Sequence, residues 1–127
     1  MQAAFLVGVG GAIGAMARYG VSVAVGRIWP TDFPLATLLI NIVGSVLMGV
    51  LVGVLARTLP PMANEIRLFT AVGVLGGFTT FSSFSLDAVT LIERGALAQA
   101  ALYVGLSVVV CIVGLYLGLL LVRGGAA

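Results

Sequence analysis

The chain has 127 residues, of which 61% are hydrophobic and 8% charged, with a formal net charge of +2. A soluble domain carries about 25% charged residues, so this composition excludes a soluble globular fold and defines a membrane protein. All six basic residues are arginine and histidine is absent, which leaves no basic patch for nucleic acid, no histidine relay and no credible zinc or haem centre. The first apolar stretch, roughly 5–25, lacks a basic leader and a cleavage site, so it is expected to stay as a membrane segment. A polar break follows at 27–34, with Trp29 and Phe33 suited to an interface. The second stretch runs from about 35 to 55. Arg57 to Arg67 is the next break and holds Pro60, Pro61, Asn64 and Glu65. The third runs from about 68 to 92 and ends at Glu93-Arg94-Gly95; the fourth covers about 97–122. Each is about 20 residues or longer, enough to cross a bilayer core of ~30 Å. The expectation is an all-α membrane protein with one four-helix transmembrane domain over 1–127.

Small residues recur at helical spacing in the pairs Gly10/Gly14, Gly49/Gly53 and Gly114/Gly118. Such pairs let helices approach closely, and packing within the chain is the plain reading. With four spans, Arg57, Arg67 and Arg123 fall on one side, and Arg27 and Arg94 on the other, joined by Arg18 if it reaches the interface. That near balance gives almost no orienting bias. Either an unseen factor sets one orientation, or the chain inserts both ways and opposed copies pair about an axis in the membrane plane.

Residues 73–87 read Gly-Val-Leu-Gly-Gly-Phe-Thr-Thr-Phe-Ser-Ser-Phe-Ser-Leu-Asp, inside the third span. Lipid offers a backbone no hydrogen-bond partners, so an interruption there carries a reason. Glycines at 73, 76 and 77 weaken the helix. Thr79, Thr80, Ser82, Ser83 and Ser85 offer hydrogen bonds that compete with the helical ladder. Two outcomes follow: a kinked helix whose hydroxyls bond back to their own carbonyls, or an ion site of freed carbonyls and hydroxyls. Oxygen-only coordination would suit an alkali or alkaline-earth cation.

Phe81 and Phe84 share one helical face. Their ring edges are positive and could line a route for a small anion, their faces could attract a cation, or both rings could simply pack. Asn41 sits mid-span with Thr37 one turn earlier. Its amide must face protein or water, either to donate to an anion or to join two helices. Tyr103, Ser107 and Cys111, spaced by four, form a polar stripe on the fourth helix. Arg18 and Asp87 are the charges most clearly within spans. They pair, or each sits in a vestibule, where Arg18 would concentrate anions or snorkel to the interface. Arg27, Arg57, Glu65, Arg67, Glu93, Arg94 and Arg123 read as solvated loop charges. No nucleophile–base pair, metal cluster or cofactor loop is present, so an enzyme is not expected.

The run Gly-Xaa-Xaa-Gly-Gly-Phe-Thr-Thr-Phe-Ser-Ser-Phe-Ser at 73–85 resembles the signature of the Fluc (CrcB) fluoride channels. So do Asn41 within Thr37-Leu-Leu-Ile-Asn-Ile-Val-Gly44, Arg18-Tyr19 late in the first span, and Tyr103 with Ser107 in the fourth. The resemblance covers essentially the whole chain. It implies a dual-topology antiparallel homodimer in the inner (plasma) membrane, with two pores that passively release cytoplasmic fluoride. It implies a third helix broken mid-membrane, and a structural sodium at the dimer centre on the backbone carbonyls of Gly76 and Thr79. The fluoride pathway would be Asn41, Phe81 and Phe84, with Tyr103 and Ser107 as a polar track and Thr37, Thr80 and Ser82 alongside. Arg18 and Asp87 would be vestibule or structural charges. Cys111 stands where the family often has a hydroxyl, and Asp87 where it often has a glutamate. Two rivals remain. A small proton-coupled exporter needs an early intramembrane carboxylate, and residues 1–17 contain none. A non-transporting membrane scaffold would bind a partner without ion flux.

Overall fold

The computed structural model describes residues 2–124, and these are all-helical. In chain order the elements are α1 (Gln2–Ile28), α2 (Leu35–Thr58), α3 (Ala63–Ile66), a π-helix (Arg67–Leu75), α4 (Gly76–Phe78), α5 (Phe81–Glu93) and α6 (Leu97–Gly124). Elements α3 to α5 run on as one candidate span, Ala63–Glu93, so four helical stretches are long and apolar enough to cross a membrane. Long apolar runs free of proline leave the backbone no better partners than its own carbonyls, and the helix follows.

The stops are local. Pro30 and Pro34 bracket the first connection and cannot donate to a helical ladder. Leu59 adopts left-handed geometry (φ 44°, ψ 56°), closes α2 through its N–H to Leu55 O, and is followed by Pro60 and Pro61. Gly95, at φ +80°, ends the third span where a side chain would be strained. The helices outrun the apolar windows because a polar residue at an end keeps the ladder until one of these stops intervenes. The expected break at 57–67 therefore shrinks to the residues between Thr58 and Ala63. As a further correction, several expected loop charges sit on helix ends: Arg27, Arg57 and Arg123 in last turns, Glu65 in α3 and Glu93 closing α5. Arg57 donates from Nη1 to Val122 O (3.3 Å), tying α2 to the end of α6.

Two helix pairs build the bundle: α1 lies on the π-helix and α4, and α2 lies on α6. The glycine pairs are the contact points. A Cβ on Gly14 would run into Val74 O and stand 2.8 Å from Phe78 N. On the other pair, a Cβ on Gly49 would strike Leu115 O, and one on Gly53 would lie 3.0 Å from Val122 Cβ. The plain reading of these pairs as packing within the chain is what the fold uses. A core of Leu38, Phe84, Ala88, Leu91, Ala100 and Tyr103 forms where α5 meets α6 and the start of α2. Many large apolar side chains stay exposed on every span, as a surface facing lipid or another chain requires.

The third span changes winding twice. The π-helix gives way to one α-turn. Thr79 (φ −81°, ψ 159°) and Thr80 (φ −152°, ψ 124°) then leave helical geometry altogether. Helix α5 restarts with Thr80 as its N-cap, Oγ1 accepting from Ser83 N–H at 3.1 Å. The span as a whole bends by 15°.

Candidate functional site

The interruption and the turn before it are held from three directions. Thr79 Oγ1 donates back to Leu75 O at 2.9 Å, capping the turn before the interruption. Its methyl group packs on Gly44 of α2, where a Cβ would collide with Cγ2. Asn41, one turn earlier on α2, grips Thr80 with both ends of its amide: Oδ1 accepts from Thr80 N–H (2.9 Å) and Nδ2 donates to Thr80 O (3.0 Å). From α1, Arg18 donates Nε to Gly77 O at 3.1 Å. A positive group on the last carbonyls of a helical turn is favourable. Arg18 and Asp87 are therefore not paired with each other; each has a separate partner.

Two carbonyls lose their helical donors here. A continuous helix would direct Thr80 N–H at Gly76 O and Ser83 N–H at Thr79 O. Those donors go instead to Asn41 Oδ1 and Thr80 Oγ1. Other hydroxyls of the run behave conservatively: Ser85 donates back to Phe81 O (3.0 Å), and Ser82 lies 3.3 Å from Thr80 Oγ1 on the exposed side.

Beyond the interruption the aromatic rings form a row. Phe81 and Phe84 have centroids 5.3 Å apart, Phe84 and Tyr103 again 5.3 Å, and Phe33 meets Tyr103 edge-on at 5.7 Å and 88°. Phe81 is 77% exposed, whereas Phe84 is 8% and Tyr103 0% exposed. Tyr103 donates its hydroxyl to Asp87 Oδ2 at 3.1 Å. The polar stripe of α6 thus points inward. Ser107 is 6% exposed and its Oγ has no hydrogen-bond partner among the described residues.

A groove of about 500 Å³ gathers most of these groups. Asn41, Thr79, Thr80, Phe81, Phe84, Ser107 and Cys111 line it beside apolar side chains of α2 and α6. A second cleft of about 730 Å³ opens by the α1–α2 connection and is lined by Thr37, Asp87, Asp32 and Trp29 among others. Asp87 edges that cleft and holds Tyr103, which packs on Phe84 of the groove. Of the residues singled out from sequence, Thr37 belongs to the second cleft and Ser82 to the outer surface. Gly76 and Arg18 stand at the interruption without lining the groove. Sequence reasoning missed the π-helix, the edge-on Phe33 and the double grip of Asn41. Only the last left a trace, the Asn41-Xaa-Xaa-Gly44 spacing that sets an amide and a bare backbone on one face.

Among the described residues, an all-helical structure with four membrane-length spans, an interruption at Thr79–Thr80 and a polar-edged groove defines a multi-pass membrane protein. The family described as CrcB-like protein, Camphor Resistance (CrcB) matches residues 5–119, and the chain belongs to it. Its sequence is 49% identical over 127 residues to the fluoride-specific ion channel FluC of Rhodospirillum centenum, covering 100% of both chains. It is 53% identical over 121 residues to the protein of that name from Cereibacter sphaeroides, covering 95% of this chain and 94% of the relative. It is 55% identical over 118 residues to that of Agrobacterium fabrum, covering 93% and 94%. The relatives are named as ion channels, and the chain is not an enzyme.

Proposed function

We propose that this chain is a passive fluoride-selective channel that releases cytoplasmic fluoride across the inner membrane. It works as an antiparallel homodimer with two pores, and the interruption of its third span lies at bilayer depth. The observation that carries the reading is the groove at Thr79–Thr80, where an amide, hydroxyls and two phenyl rings converge with no charged lining residue. The names of relatives that match along 93–100% of the chain favour fluoride as the ion, over the exporter and scaffold readings.

The chemistry follows from hydration. Fluoride is small and holds its water tightly, so a pore must offer replacement donors. Asn41 spends one Nδ2 hydrogen on Thr80 O and keeps the second. Ser107 carries a buried hydroxyl with no partner among the described residues, a group that is costly unless an anion or water meets it. The edges of Phe81 and Phe84 carry partial positive charge and attract an anion without holding it as a full cation would. Weak, serial sites of this kind let an ion enter and leave. Tyr103 and Asp87 link the groove to the second cleft, a vestibule toward water. Phe81, exposed in one protomer, would face the partner.

The Gly76 and Thr79 carbonyls, stripped of helical donors, fit a structural sodium at the dimer centre, since hard cations take oxygen ligands. The ion would supply fixed positive charge and cross-link the two interruptions. The test is efflux from proteoliposomes read with a fluoride electrode. Rapid fluoride release with chloride retained is the expected result. Fluoride retention by well-folded protein would overturn the reading.

A further inference from the structure

The amide of Asn41 has an orientation dictated by its surroundings. Thr80 presents an N–H and a C=O to it, so Oδ1 must face the first and Nδ2 the second. The two contacts span 39 positions of sequence and join α2 to the interruption. Their effect on the third span is specific. Thr80 N–H is the donor that Gly76 O would receive if the helix closed up, and Asn41 Oδ1 removes it. With Thr80 held extended at φ −152° and ψ 124°, Thr79 O loses its donor too, because Thr80 Oγ1 turns to Ser83 N–H.

We propose that Asn41 is the positioning residue of the cation site: by taking Thr80 N–H, its amide oxygen keeps the Gly76 and Thr79 carbonyls free to bind a hard monovalent cation. This rests on the sodium and fluoride reading given above and deepens it. Asn41 also lines the groove, so one amide serves both ions, its oxygen setting the cation site and its spare N–H facing the anion route. Linkage then requires that sodium and fluoride influence each other's binding equally. Gly44, one turn away, admits the Thr79 methyl and keeps the interruption within reach of Asn41.

Two variants separate the roles. Asn41→Asp keeps an oxygen for Thr80 N–H but replaces the donor with a negative charge. Asn41→Ala releases Thr80 N–H to return to Gly76 O. The readout is the thermal unfolding midpoint of the purified full-length protein in sodium chloride against N-methyl-D-glucamine chloride, with fluoride efflux measured in parallel. The wild-type protein is expected to melt higher in sodium. Asn41→Asp should keep that sodium-dependent shift while losing fluoride efflux. Asn41→Ala should lose the shift. A full sodium shift in Asn41→Ala would overturn the proposal, as would its loss in Asn41→Asp. A wild-type protein whose midpoint ignores sodium would remove the central cation and this inference with it. Wild-type protein that shows the shift but no fluoride efflux would sink the channel reading alone.

Discussion

Phe81 and Phe84 sit three residues apart on one helix and experience opposite surroundings. Phe84 is wedged between Phe81 and Tyr103, while Phe81 is open on most of its surface. Replacing either with isoleucine removes a ring edge, and each change is expected to cut fluoride efflux by about tenfold, as the loss of ~1.4 kcal/mol of ion stabilisation would. Stability should respond unequally. Phe84→Ile should cost about 1–2 kcal/mol by disturbing a packed core, and Phe81→Ile close to nothing in the isolated protomer. Normal efflux in both variants would remove the ring-edge account. Cys111 lines the groove one turn past Ser107, and a thiol is a weak donor. Cys111→Ser is therefore expected to raise efflux or leave it unchanged; a clear fall would show that a hydroxyl there does not extend the track. The residue types of the site were legible in the sequence because hydroxyls, an amide and a carboxylate are conspicuous among leucines and valines. The partners were not. Nothing in the residue order says that Arg18 caps Gly77, that Tyr103 holds Asp87, or that Asn41 grips Thr80, since each contact joins separate helices.

The glycines set how closely the spans lie. Gly14 faces backbone atoms of Val74 and Phe78, which cannot move aside as a flexible side chain would. Gly14→Ala is expected to lower the unfolding free energy by about 2 kcal/mol or more, the range of overpacked sites. Gly8, on the same helix, has nothing within 4 Å of an added Cβ. Gly8→Ala should be neutral or stabilising by up to about 1 kcal/mol, because alanine is the better helix former. Equal effects at the two positions, measured by denaturation in detergent, would contradict the packing described. Span existence was readable from apolar length, and span ends were displaced only by the helix's tendency to run on to the next proline or glycine. The π-helix at Arg67–Leu75 was not readable. A change from four-residue to five-residue hydrogen bonding leaves no compositional mark. It is associated here with the tight crossing of α1 at Gly10 and Gly14, and π segments are frequent beside functional sites.

At the scale of the molecule, one protomer leaves apolar side chains such as Ile112, Leu121 and Phe81 exposed on several sides. Lipid covers some of that surface, and the proposed twin covers the face that carries Phe81. The arginine distribution, three on one side against two or three on the other, gives almost no orienting bias, and the proposed antiparallel pair needs both orientations. Adding two lysines to one connection should lock the orientation and abolish efflux when that variant is made alone. Co-expression with a variant locked the opposite way should restore it. Full efflux from a single locked variant would rule out the antiparallel pair. The most direct test of fluoride conduction is a planar-bilayer recording with fluoride on both sides in a gradient and chloride in the opposite gradient. The current is expected to reverse near the fluoride equilibrium potential, with chloride contributing nothing measurable. A reversal potential near zero, or one that follows chloride, would contradict the assignment.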